Sequence, residues 1–205
     1  MCRHALLRGL VVMLASLIFT WTVAADEQKK VEFNEKLQGE LVELARADQE
    51  LSRQLLKDPR NPDLAQLRKA QDMYRKNAAR LRDVVNKYGW PTPALVGDDG
   101  VAAAFALLQH ADADRPFQKR CLKLMEEAAR KGELSQQYVA AFTDYLLILE
   151  RRKQRFGTQF TLNAQGEVVP HPIEDEANVD KRRAELGLPP LADQLKQVRA
   201  QFKKP

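Results

Sequence analysis

Apolar residues along this chain recur mostly every three or four positions, the spacing that gathers them on one face of a helix. Leu37, Leu41, Leu44, Leu51 and Leu55 keep a 4-3-7-4 rhythm among charged neighbours, which predicts an amphipathic helix from about Lys29 to Leu56. Asp58-Pro59-Arg60-Asn61-Pro62 interrupts it, because proline has no amide to continue the ladder. Leu64, Leu67, Tyr74, Leu81 and Val85 predict a second helix, ending near Tyr88-Gly89 and antiparallel to the first. From Gly89 to Gly100 the chain is dense in turn formers. Asp98 or Asp99 then caps a short helix from Val101 to His110, whose Ala102, Ala103, Ala104 and Ala106 allow a neighbour to approach closely.

Asp114, just ahead of Pro116, is a cap for a helix reaching about Lys131, where Gly132 ends it. Ser135 caps another that runs to about Arg155. Its Tyr145-Leu146-Leu147-Ile148-Leu149 segment is apolar on every side, the mark of a central element. After Gly157 the period shortens to two. Residues 158–169 read as a β-hairpin around Asn163-Ala164-Gln165-Gly166, with Phe160 and Leu162 expected to pack on the helices. Short helices over Val179 to Leu186 and Leu191 to Phe202 complete the chain. The fold class is mainly α: an irregular helical bundle with one small β-hairpin, preceded by an antiparallel helical hairpin.

The first residues change the picture of where the protein works. Arg3 and Arg8 precede an apolar run from Leu10 to Thr22, and Val23-Ala24-Ala25 forms a small-residue exit. This is the pattern of a cleaved export signal over residues 1–25; an uncleaved anchor is the alternative. Cys2 lies ahead of the apolar run and is no lipid-attachment cysteine. The expected division is a signal over 1–25, a helical hairpin over 26–88 and a helical domain over 89–205. The expected location is periplasmic or secreted, with no membrane span after cleavage.

Losing Arg3 and Arg8 with the signal lowers the 33 basic residues to 31, against 28 acidic ones. That balance argues against a nucleic-acid partner, which calls for clustered basic stripes. Cys121 remains as the single cysteine, so no internal disulfide is expected after export. It falls in the series Phe117, Cys121, Leu124, Met125 and Ala128, and reads as an inert core thiol.

Candidate chemistry concentrates in Gln109-His110-Ala111-Asp112-Ala113-Asp114, with Gln118 one turn on. His4 lies in the signal and His171 between prolines, which leaves His110 as the histidine placed among helices. A carboxylate on one ring nitrogen would leave the other free for acid–base work. The plainer account is a histidine favoured by a helix C-terminus and an aspartate capping the next helix. Asp144, just ahead of the apolar run, is expected to be partly buried and to need a cation or several donors, with His110 or Arg151 as its partner. Gln154, Thr158 and Gln159 flank Gly157, where amides either bind a ligand or cap the helix. Trp90 stacks on a ligand or closes over the core. Metal ligation by His110 and Asp112 is the least favoured alternative, since no second cluster stands at ligand spacing, and the sequence leaves any cofactor unknown. Phosphate-loop, nucleophile-elbow, His-Glu-x-x-His and Cys-x-x-Cys motifs are absent from the sequence.

Residues 89–191 resemble a family of bacterial domains of unknown function. The resemblance is carried by Gly89-Trp90-Pro91 with Val96-Gly97, Gln109-His110-Ala111-Asp112 with Phe117-Gln118, and Asp144. Gln154 with Gly157-Thr158-Gln159, then Arg182-Arg183 and Gly187-Leu188-Pro189, complete it. Tyr145 stands where similar domains often have a basic residue, and Phe156 where they commonly have tyrosine. The resemblance implies that His110, Asp112, Gln118, Asp144, Gln154 and Gln159 form one constellation, and it implies no reaction.

Two functions follow as expectations. One is a site for a small molecule or peptide, hydrolytic in character. His110, Asp112 and Asp144 are its candidate catalytic residues, and Gln109, Gln118, Gln154, Thr158 and Gln159 its candidate ligand-binding residues. The rival is a non-catalytic module that engages an envelope protein through the amphipathic helices.

Overall fold

The computed structural model describes residues 31–55 and 63–202. The expected signal at 1–25, the Asp58–Pro62 break and the basic tail Lys203-Lys204 lie outside the described residues. Seven helices and one two-stranded sheet are described: α1 (Glu35–Leu55), α2 (Leu64–Tyr88), α3 (Pro93–Gln109), α4 (Arg115–Arg130), α5 (Gln136–Leu149), β1 (Phe160–Leu162), β2 (Val168–Pro170), α6 (Val179–Glu185) and α7 (Leu191–Phe202). This is the mainly α bundle with a hairpin that the periodicity predicts.

Helix α1 starts at Glu35, not near Lys29, because Asn34 caps it by accepting the Leu37 amide at 3.0 Å. Cross-helix contacts between α1 and α2 run in opposite order, Ser52 to Tyr74, Asp48 to Asn77 and Glu40 to Arg80, which makes the pair antiparallel. Yet α1 packs more extensively on α3 than on α2. It runs alongside α3 in the same direction: the Asn34 amide donates to the Leu95 carbonyl at 2.8 Å, and Asp48 meets His110 at the far end. Small residues make this possible. A Cβ at Gly97 would stand 2.9 Å from the Gln38 amide nitrogen, and Gly97 also turns the chain at φ 66°, kinking α3. The helix at Val101 therefore begins earlier than the turn-rich composition suggests, with Pro93 in its first turn.

One apolar core joins the segments on both sides of Tyr88. Leu37, Leu41, Leu81, Val84 and Val85 from the first two helices bury against Val101, Leu107, Leu108, Phe117, Met125 and Phe142. Each such side chain contributes roughly 1.5–3 kcal/mol by leaving water. Trp90 closes over this core, with its indole N–H buried and unpartnered. Cys121 is buried, and removal from water pushes its thiol up to about 12.

Helix α5 ends at Leu149, several residues short of the expected Arg155. Arg151 adopts a left-handed φ of 57°, and Gln154 pairs instead with Ile173 in an isolated bridge. The run from Tyr145 to Leu149 is less central than its composition suggests: Leu146 is buried, while Leu149 is exposed. In the hairpin, Val168 is buried and Leu162 is exposed. Helix α7 covers β2, where Arg199 Nε donates to the Val168 carbonyl, so it is the return strand that faces the helices.

Candidate functional site

The turn between α3 and α4 carries His110, and three sets of interactions hold it there. Gln118, wholly buried on α4, donates through Nε2 to the Leu108 carbonyl at 2.9 Å and to Asp112 Oδ1 at 3.2 Å. Tyr145 on α5 donates its hydroxyl to the Gln109 carbonyl at 2.6 Å and lies 2.9 Å from the same Asp112 oxygen. These donors satisfy carbonyls that the end of α3 would otherwise leave open. Burial and then Asp112 hold the Tyr145 phenol well above its ordinary range, so it stays a donor. Asp114 caps α4 through the Phe117 amide at 3.0 Å and pairs with Arg82 of α2. Gln109, Asp112 and Gln118 thus serve the turn itself.

His110 takes its own partner from α1. Its Nδ1 hydrogen-bonds Asp48 Oδ1, and Asn77 of α2 donates to Asp48 Oδ2 at 3.2 Å. A carboxylate offers only acceptors, so Nδ1 carries the proton and Nε2 of the neutral ring holds the lone pair. Tyr74 packs on the imidazole with ring centroids 4.5 Å apart, and its hydroxyl lies 2.8 Å from Ser52 Oγ. Asp48 is only 2% exposed, whereas the His110 side chain is 34% exposed. The ring therefore bridges a sealed carboxylate and solvent.

The solvent side is a cleft of about 590 Å³ between α2 and the turn, lined by Gln71, Tyr74, Arg75, Ala78, Arg82 and residues His110 to Asp114. Among the described residues, Nε2 has no hydrogen-bond partner within the protein. No group of three His, Cys, Asp or Glu side chains that could hold a metal ion is found among the described residues.

Asp144 lies in a different network. Its carboxylate accepts from the amides of Arg155, Phe156 and Thr158 at 2.7–3.2 Å, and from the Thr158 hydroxyl at 2.8 Å. Gln154 Nε2 donates to the carbonyls of Gln159 and His171, and its Oε1 accepts the Gln159 amide. Gln159 Nε2 donates to the Ala141 carbonyl at 3.1 Å. From the other side, buried Arg183 donates to the carbonyls of Phe156 and Pro189, each at 2.6 Å. Burial pulls its guanidinium below the ordinary value. Arg182 takes the Arg155 and Glu174 carbonyls. Asp144, Gln154, Thr158 and Gln159 share no hydrogen bond with His110 and do not line its cleft. Neither expected partner of Asp144 is its partner: His110 goes to Asp48, and Arg151 is exposed.

With this geometry in place, comparison with known proteins adds the family. The family model of DUF6624, a family of unknown function, matches residues 35–203. The chain belongs to that family. The match takes in α1 and α2, which the motif resemblance over 89–191 left out, so Asp48, Tyr74 and Asn77 lie inside the DUF6624 region. No curated protein and no solved structure matches the chain.

Sequence reasoning missed Asp48 and Asn77, and a signal for both was present. The apolar series of α1 steps seven positions from Leu44 to Leu51, and that of α2 steps seven from Tyr74 to Leu81. Asp48 and Asn77 fill those gaps on the buried faces.

Proposed function

We propose that this DUF6624 protein is exported and binds a small molecule or peptide in the His110 cleft, with His110 as a general base for hydrolysis. One observation carries the reading: the imidazole is oriented through Nδ1 by a buried carboxylate, its Nε2 has no partner among the described residues, and His110 lines a cleft. An imidazole so fixed offers the Nε2 lone pair to a proton donor in the cleft. In the hydrolytic step, Nε2 takes a proton from water as the water oxygen bonds to the electrophilic carbon or phosphorus. The bond to the leaving group then breaks, and the proton passes from Nε2 to it.

Asp48 and Asn77 act as positioning residues; Gln118, Tyr145 and Asp112 hold the turn. Asp144, Gln154, Thr158 and Gln159 have no part in this step. The envelope-partner reading has less to draw on, because Leu37, Leu41, Leu81, Val84 and Val85 of α1 and α2 are spent on the protein's own core, while Leu64 and Tyr88 are exposed.

The test compares wild-type protein with His110→Gln, whose carboxamide can still donate to Asp48 but cannot act as a base. Against a panel of ester, amide and phosphoester substrates, the variant should lose about 10²–10⁴-fold in rate while its melting temperature moves by a few degrees at most. Equal rates in the two proteins would sink the reading. Export is tested separately, by cell fractionation and by the mass of the mature N-terminus.

A further inference from the structure

The cleft around His110 has an uneven supply of hydrogen-bonding groups. Its two carboxylates, Asp112 and Asp114, each accept two hydrogen bonds from the protein. Both oxygens of Asp114 are engaged, one by the Phe117 amide and one by Arg82. Asp112 Oδ1 takes Gln118 and Tyr145, and Arg115 stands 3.7 Å away to offset its charge.

The guanidiniums are largely free. Each arginine has five N–H groups, and Arg82 and Arg75 each contact their acid partner through Nη2. The partner of Arg75 is Asp72, one turn away on α2 and exposed; Asp72 is not part of the cleft lining. Such a surface pair holds its members weakly, so Arg75 can turn to a ligand at small cost. Apart from Gln71, the remaining wall is apolar: the Tyr74 ring, Ala78, Ala111 and Ala113.

We infer that the His110 cleft takes ligands in which an oxyanion, a carboxylate or a phosphate ester, is carried on an apolar body. The oxyanion accepts from Arg75 and Arg82, and the body lies against Tyr74 and the alanines. A planar guanidinium fork suits either oxyanion. This rests on the His110 reading for the place of the site, and adds the class of molecule that enters it.

The experiment titrates the whole protein with phenyl phosphate, phenylacetate and the neutral phenylacetamide, by calorimetry and by the imidazole NMR signals of His110. The expected result is binding of one or both anions, weakened as salt rises, with phenylacetamide at least tenfold weaker. Which anion binds more tightly distinguishes phosphate ester from carboxylate. Arg75→Gln should weaken the anion severalfold. Arg75→Gln/Arg82→Gln should weaken it tenfold or more, and Arg82→Lys, which keeps the charge over Phe117, should restore part of it. Phenylacetamide binding as tightly as the anions, no binding of either anion, or an anion affinity unmoved by the arginine variants, overturns the inference; hydrolysis dependent on His110 would survive all three. Conversely, anion binding that needs the arginines in a protein with no His110-dependent rate removes the general base and leaves the ligand class standing.

Discussion

Asp48 and Asp144 are both buried carboxylates on helices, each collecting hydrogen bonds from a distant part of the chain. Asp144 is wrapped by three amides and a hydroxyl from residues 155–158, and the carbonyls of the same segment are held by Arg182 and Arg183. Its partners are mainly backbone amides, fixed by the fold and donating inward to the carboxylate. Asp48 has two side-chain partners, Asn77 and His110, and the second of these lines a cleft with one ring nitrogen unpartnered among the described residues. Burial of a carboxylate thus says little about function by itself. What separates the two is whether any partner keeps a free valence facing solvent.

The largest expected effect comes from emptying the saturated network. Asp144→Ala leaves three amides and a hydroxyl without their acceptor and removes an anion near buried Arg183. Breaking a buried, multiply bonded charge costs about 3–5 kcal/mol. Urea unfolding should show that loss, and ligand binding by the surviving folded protein should be unchanged. A loss below about 1 kcal/mol would mean that the segment 155–158 does not depend on this carboxylate.

The second effect concerns the open cluster. His110→Ala removes a partner from Asp48, which is almost wholly buried, so it should cost about 1–3 kcal/mol despite the exposed ring. His110→Ala/Asp48→Asn should recover part of that cost, since the buried charge goes with its partner. Urea denaturation of the single and double variants measures the difference. Strict additivity would mean that His110 and Asp48 are not coupled, and the orientation of the imidazole would lose its cause.

The same contrast explains what could be read in the sequence. Periodicity located the helices well, because an apolar stripe is a local pattern: α2, α4, α6 and α7 stand close to where Leu81, Met125, Val179 and Leu191 suggest. The end of α5 was misplaced because its cause is remote: Asp144 draws residues 155–158 back across the helix end. For the site, His110 stood out as a polar group between apolar helices. Gaps in the apolar stripes mark Asp48 and Asn77 as facing the core, but nothing local says that Asp48, 62 residues away, meets His110. For Asp144 the sequence shows that a carboxylate will be buried, not which amides will reach it.

A third buried titratable group, Cys121, completes the contrast and gives the smallest effect. It sits on α4 one turn beyond Gln118, and its environment is apolar, with burial the main cause of its raised value. Hydrogen-bonding side chains and amides meet Asp48 and Asp144 inside the protein, whereas Cys121 is held neutral by burial. In the unfolded chain the thiol ionises near 9.0, and in the native protein only at about 12. Its contribution to stability is therefore fully present below about pH 9 and is lost as pH rises toward 12. The loss is roughly 1.4 kcal/mol for each pH unit in that window. Cys121→Ala removes the titration and adds only a pH-independent packing cost, so comparing urea stability at about pH 8 and about pH 10 isolates the effect. The wild type should lose about 1 kcal/mol more than the variant over that interval. Identical slopes would mean that the thiol meets a hydrogen-bond donor or water in the native state, and the difference between partnered and unpartnered burial would not extend to α4.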